Sequence, residues 1–214
     1  MFLESILVAT GVIAAAKLIG RLIGSLISRW GKKTEQLPET VKAPLSETDK
    51  KMAEETRNVI KEKFGDNVVE TLKNASNKER LDMIEDFAKT LVNLYGLDVE
   101  VDIILGEEGL GGYHDGRKNK IVFNITGLMN TESENFAYFA RFAVETVIHE
   151  LRHAVQYKSI NELGFWDVDE KTRMEWKNDL DNYIPPEVDF RGYALQPIEV
   201  DARTFADEAM SEVK

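Results

Sequence analysis

The sequence predicts an α+β fold, mostly helical with a small sheet, preceded by an N-terminal hydrophobic and basic helix. Three observations carry that expectation. Stretches opened by capping residues, with apolar side chains three and four apart, recur along the chain and mark amphipathic helices. One region, 98–125, alternates apolar with polar residues or breaks into turn residues, as half-exposed strands do. The charge is also divided. Residues 1–33 hold Lys17, Arg21, Arg29, Lys32 and Lys33 against Glu4 alone, a net of +4, whereas residues 34–214 hold 22 basic and 37 acidic side chains, a net of −15.

Composition removes whole classes of function. The 214 residues include no cysteine, which excludes a disulfide scaffold, a thiolate zinc site, a cysteine nucleophile and an iron–sulfur cluster. A body with a net charge of −15 repels phosphate backbones, so no nucleic-acid partner is expected.

Residues 1–33 form the first segment. Their longest uncharged run, Ser5 to Ala16, is twelve residues, short of the roughly 18–20 that span a bilayer. Thr10, Lys17, Arg21, Ser25, Ser28 and Lys32 make one polar stripe, and Trp30 with the terminal lysines suits the headgroup level of a membrane interface. Ala16, Gly20, Gly24 and Ser28 make a second, small-residue ladder of the kind that lets helices approach closely. The segment is therefore expected to be a tether, either to a membrane or to an oligomer or larger particle. With the positives trailing it, a membrane-associated form would keep the body in the cytoplasm, and a soluble or particle-associated form stays open. A cleaved signal peptide is not expected, since Glu4 is the only charge ahead of the apolar run. Residues 34–46, with Pro38 and Pro44 and no apolar periodicity, read as a semi-extended linker.

The body, 47–214, divides into a helical scaffold at 47–97 and a catalytic core at 98–214. Ser46 can cap a helix to about Phe64, which Gly65 stops. A short helix near Val68–Lys73 follows. Ser76 with Glu79 forms a capping box for a helix over Asn77–Tyr95, striped by Leu81, Ile84, Phe87, Leu91 and Val92. None of these helices carries visible chemistry. Val99, Val101 and Ile103 mark a strand, and a hairpin should turn near Asp115-Gly116 between Tyr113-His114 and Lys120–Ile125. The four glycines within 106–112 lack dinucleotide or P-loop spacing. Thr131 with Glu134 reads as a capping box opening a helix to about Lys158, in which Phe136, Phe139, Ala140, Ala143 and Val147 are core. The stretch 162–194 is irregular around a helical piece at Asp169–Leu180. Pro197 opens the last helix.

The chemistry lies in the long helix, where the sequence reads His149-Glu150-Leu151-Arg152-His153, an HExxH motif. Histidines four apart project from one helix face and can give two nitrogen ligands to one tetrahedral zinc. Glu150 is then placed to take a proton from a zinc-activated water. With no cysteine and only His114 as a further histidine, a carboxylate is the natural third ligand. Ligand type does not separate zinc from manganese, cobalt or iron.

The last helix carries Glu199-Val200-Asp201-Ala202-Arg203-Thr204-Phe205-Ala206. ExDAxxFA downstream of HExxH resembles the gluzincin branch of zincin metallopeptidases, and is similar to the ImmA/IrrE-type proteins, over roughly residues 98–210. The resemblance implies a zincin-like catalytic core, Zn2+ as cofactor, and Glu199 as third metal ligand. It also implies that Asp201 hydrogen-bonds a ligand histidine, a position where an acid can equally serve the helix N-terminus. In the resembled fold a strand before the metal helix pairs with the substrate backbone, by position Ile121–Ile125.

Further candidates are weaker. His114 can stabilise an oxyanion or can be an exposed hairpin residue. Tyr193 can supply a phenol donor, with Tyr183 and Tyr157 as competitors. Gln156, one turn beyond His153, can orient a side chain or line the cleft, and Arg152 points away from the metal face and serves solubility. The expected function is a zinc-dependent metallopeptidase acting on a protein or peptide substrate. The alternatives are a non-catalytic zincin-fold assembly component, or a body that delivers a pore- or oligomer-forming head.

Overall fold

The computed structural model describes residues 41–106, 110–186 and 188–213. The N-terminal tether expected over 1–33, and most of the linker, lie outside the described residues. What is described is an α+β body with one small sheet.

Three capped helices come first. Ser46 and Asp49 form a reciprocal capping box at the start of α1, Glu47–Phe64, and Gly65 closes it at φ +70°. Asn67 caps α2, Val68–Asn74, by accepting from Glu70 N–H at 3.1 Å. The box of Ser76 and Glu79 opens α3, Asn77–Leu94, and Gly96 turns the chain at φ +64°.

Strands β1, Glu100–Ile104, β2, Leu110–Asp115, and β3, Lys120–Ile125, form a sheet ordered β1-β3-β2. Strand β3 runs parallel to β1, with Ile121 opposite Val101, and antiparallel to β2, with Ile121 opposite His114. The expected hairpin is formed. Asp115 Oδ1 accepts from Arg117 and Lys118 N–H, and Asn119 takes φ +52°. Ile121–Ile125, expected to receive substrate, is instead the middle strand. Its ladder groups are used on both sides, so the sheet edge beside the helix that carries HExxH is β2.

A 3-10 turn at Thr126–Met129 leads to the central helix α4, Phe136–Asn161. The Thr131/Glu134 capping box is not formed, and the helix starts at Phe136. Asn130 Oδ1 accepts from Glu132 N–H and Ser133 Oγ from Asn135 N–H, so local side chains hold this stretch in turns. Helix α5, Glu170–Asp181, is capped by Asp169, and a short helix that the sequence hid, α6, Phe190–Leu195, is capped by Asp189. Helix α7, Pro197–Met210, completes the body.

Helix α4 packs against α7, β2 and β3 and touches α2, α3 and α5. Its Val144, Val147, Ile148, Leu151 and Val155 share one core with Ala53 and Ile60 of α1, Phe87 and Leu91 of α3, Phe123 of β3 and Phe205 of α7. Residues 47–97 and the described part of 98–214 are thus one packed unit. No helix among the described residues is long and apolar enough to cross a membrane.

Phe64 and Phe87 meet edge to face at 5.3 Å, joining α1 to α3. Phe87→Ala should lower stability by about 3–5 kcal/mol. The measurement is urea unfolding, with the midpoint lowered and the m-value unchanged.

Candidate metal centre

The HExxH residues fall within α4, where the four-residue spacing stacks both imidazoles on one face. The rings of His149 and His153 lie edge to face, centroids 4.6 Å apart, with their Nε2 atoms 3.0 Å apart. Glu199 enters from the first turn of α7. Its Oε2 is 3.4 Å from His149 Nε2, and its Oε1 is 3.5 Å from His153 Nε2. Three donors, each about 2.0–2.1 Å from one tetrahedral metal, stand about 3.3 Å from one another; the two nitrogens are 3.0 Å apart, and each has a different Glu199 oxygen at 3.4 or 3.5 Å.

The donor set also fits a cation by its deficits. Glu199 is 2% exposed and its Oε2 has no hydrogen-bond partner. Burial opposes the ionisation of Glu199, but His153 and then His149 outweigh it, and the carboxyl is held far below its usual range. Burial likewise opposes the charge on His153, yet Glu199 overrides it and raises the imidazole to about 9. The pocket attracts positive charge. The histidine side chains are 17% and 15% exposed, so the cluster is not fully closed off from solvent.

Glu150 points from α4 toward β2. Its carboxyl is raised first by burial and also by Glu199, against the lowering effect of both histidines and of the His114 backbone N–H. A side chain at Gly112 is excluded here: a Cβ would stand 2.7 Å from Glu150 Cγ and 3.1 Å from Thr146 Cγ2. Glycine lets the strand lie directly on the general-base candidate.

His114 is not the exposed hairpin residue considered from sequence. It is half-buried, its ring edge-on to Tyr157 at 5.5 Å. Burial, then the charge of His153, depress its pKa to about 4, so it is neutral near pH 7. The group that meets the site is its backbone N–H. Tyr193, on α6, stands among the carboxylates. Its phenol is raised well above the ordinary value by burial first, then by the charges of Glu199, Tyr183 and Glu150. Of the three tyrosines weighed, Tyr157 packs on Gly116 and His114, and Tyr183 packs edge-on against Tyr193.

Two expectations about the far side of α4 need correction. Arg152 does point away from the metal donors, but it is 1% exposed and serves no solubility role. It sits at 148-152-156 spacing within the buried stripe, which is the sequence signal for its burial. Its Nε and one terminal nitrogen bind both oxygens of Asp201 at 2.8 and 3.1 Å, and the other binds Asp49 Oδ1 at 2.7 Å. The scaffold helix α1 therefore does contribute to the site. Asp201 does not bond His149 or His153 directly; Gln156 stands between Asp201 and His153, 2.7 Å from His153 Nδ1 and 2.7 Å from Asp201 Oδ2.

Sequence reading also missed Asp179 of α5. Its Oδ2 accepts from Ile198 N–H at 2.9 Å, capping α7 one residue before Glu199. This cap comes from 19 residues upstream, and no local pattern announces it.

No family model, curated protein or solved structure matches the chain. The site stands on its own geometry.

Burial pushes the Asp49 carboxyl up, but Arg152 and the hydrogen bonds from Trp166 and Ser46 bring it below the ordinary 3.8. A depressed folded pKa contributes stability that is full above 3.8 and is lost as pH falls through the lower folded value. Asp49→Asn should therefore be less stable than wild type at pH 7. Denaturant titrations across pH should show that difference shrinking below about pH 4.

Proposed function

We propose that the protein is a zinc-dependent metallopeptidase of the zincin type, in the gluzincin branch, hydrolysing peptide bonds in a protein or peptide substrate. One observation carries the proposal: His149 Nε2, His153 Nε2 and the buried Glu199 carboxylate come together within 3.0–3.5 Å of one another, on the helix that carries Glu150. In this reading His149, His153 and Glu199 hold the ion. A zinc bound there would lower the pKa of a water at the open position to about 7 and polarise the scissile carbonyl.

The remaining chemistry belongs to side chains and backbone. Glu150 accepts the proton of the attacking water and returns it to the leaving amine nitrogen. Its buried, raised carboxyl suits both directions of transfer. The His114 N–H fixes the carboxylate's orientation, and the alternation of an antiparallel strand then turns the Gly112 backbone outward as well. The outer edge of β2 is thus a ladder beside Glu150 on which an extended peptide can pair, in the place first assigned to Ile121–Ile125. The Tyr193 phenol, kept protonated by its neighbours, donates to the oxyanion that forms on the carbonyl. HExxH and ExDAxxFA support the resemblance to ImmA/IrrE-type proteins, and a mixed sheet whose antiparallel edge strand lies on the metal helix agrees with a zincin fold. The sequence of residues 1–33 supports a tethering role for that segment, to a membrane or to an assembly.

Purified protein should carry about one zinc per chain. Glu150→Gln should keep that zinc and lose roughly 10²–10⁴ in hydrolysis of an unfolded protein or quenched-fluorescent peptide pool. Undiminished cleavage by this variant would refute the mechanism. Tyr193→Phe should lower kcat by about 10²-fold with zinc content unchanged, whereas Tyr183→Phe should not. Steady-state kinetics on the two variants separate them.

A further inference from the structure

Behind His153 lies a second layer of polar groups that leads away from the cleft. Gln156 lies with one end 2.7 Å from His153 Nδ1 and the other 2.9 Å from Ile198 O and 2.7 Å from Asp201 Oδ2. Ile198 O and the Asp201 carboxylate only accept, so the amide nitrogen of Gln156 must face them and its oxygen must face His153. An oxygen there requires a proton on Nδ1. Nδ1 of His153 therefore keeps its proton, so that whenever Nε2 is unprotonated its lone pair faces Glu199 and His149.

The layer continues. Asp201 binds Arg152 through both oxygens, and Arg152 binds Asp49. Asp49 Oδ1 also accepts from Trp166 Nε1 at 2.8 Å, while Oδ2 accepts from Ser46, where α1 begins. Gln156, Arg152, Asp201 and Asp49 are each 4% exposed or less. The rings of Phe205, Trp176 and Trp166 pack around the guanidinium at 4.8, 5.6 and 5.7 Å. One positive charge between two negative ones leaves the cluster with an excess negative charge. The Gln156 amide passes that polarity to Nδ1–H, which makes Nε2 a stronger donor.

We propose that Gln156 is a positioning residue that locks the tautomer of His153 for metal binding, and that Asp201, Arg152 and Asp49 hold the lock, so that helix α1 contributes to metal affinity. The proposal rests on the reading that His149, His153 and Glu199 hold zinc, and its test reads metal binding, not hydrolysis. The first measurement is the zinc dissociation constant of the full chain, by competition with a chromophoric chelator. The second is the visible spectrum of the cobalt(II)-loaded protein.

Gln156→Met should weaken zinc binding about 10–100-fold and alter the cobalt bands. Asp49→Asn, at the far end, should weaken it less. A residue that only stabilised the fold would lower the unfolding midpoint and leave both readouts of the folded protein unchanged. Unchanged zinc affinity and cobalt spectrum in folded Gln156→Met overturn the proposal. Should that variant not fold, nitrogen-15 NMR of the zinc-loaded wild type decides. A slowly exchanging Nδ1–H on His153 supports the lock, and a freely exchanging one overturns it. Wild-type protein that takes up no zinc overturns the metal-centre reading itself, which separates the two failures.

Discussion

Arg152 carries a full charge with 1% of its surface exposed, and the packing around the site follows from accommodating it. Removing a guanidinium from water costs several kcal/mol unless its donors and its charge are matched. The match takes one carboxylate from α7, Asp201, and one from α1, Asp49, with a Trp166 N–H to share the second. Burial works against the Arg152 charge, and these two acids more than restore it. Three helices far apart in sequence are thereby brought together at one point. An apolar residue at 152 could fill the volume, but it would not select this mutual placement of α1, α4 and α7.

That placement matters because α4 is used on three sides at once. At about 100° per residue, His149 and His153 share one face, Glu150 turns toward β2, and Arg152 turns to the opposite side. Each face needs a different neighbour. Glu199 must meet the histidines, the glycine-backed strand must admit Glu150, and the acid pair must meet Arg152. Gln156 links two of these faces, because one amide touches a histidine of the first and the carboxylate of the third. A helix rotated by one residue would lose all three relationships together.

Much of this was legible in the sequence, and the remainder failed for identifiable reasons. The helices with Ser46, Ser76 and Asp169 at their starts were readable because their caps are local. HExxH was readable because helical spacing alone brings its histidines together. Strand order was not, since a parallel β1–β3 pair with β2 outside is a long-range choice that alternation cannot encode. The Thr131 box failed because Asn130 and Ser133 offered the backbone competing local bonds. The charge of Arg152 masks its position in the buried stripe, where i±4 spacing from Ile148 and Gln156 marks it as interior. Asp179 and Asp49 act on residues 19 and 103 positions away, beyond any local motif.

The position of Glu199 was open to two readings, a metal ligand or an acid favoured by the N-terminal dipole of α7. Burial favours the ligand reading proposed above. An acid in the first turn of an exposed helix gains about 0.3–1 kcal/mol from the dipole, and it gains this while keeping its hydration. Glu199 is 2% exposed, and a buried carboxylate forfeits several kcal/mol of hydration, more than the dipole returns. Asp179 already caps the helix at Ile198 N–H, so the helix does not need Glu199 for its start. The carboxylate's compensation must come from the groups it faces. Those are the Tyr193 phenol and two imidazole nitrogens, and the nitrogens also face each other at 3.0 Å, a separation at which both cannot be protonated toward the same point. One proton shared between the two nitrogens leaves the carboxylate unmatched, whereas a cation held by all three donors, as proposed, would satisfy the carboxylate and both nitrogens together.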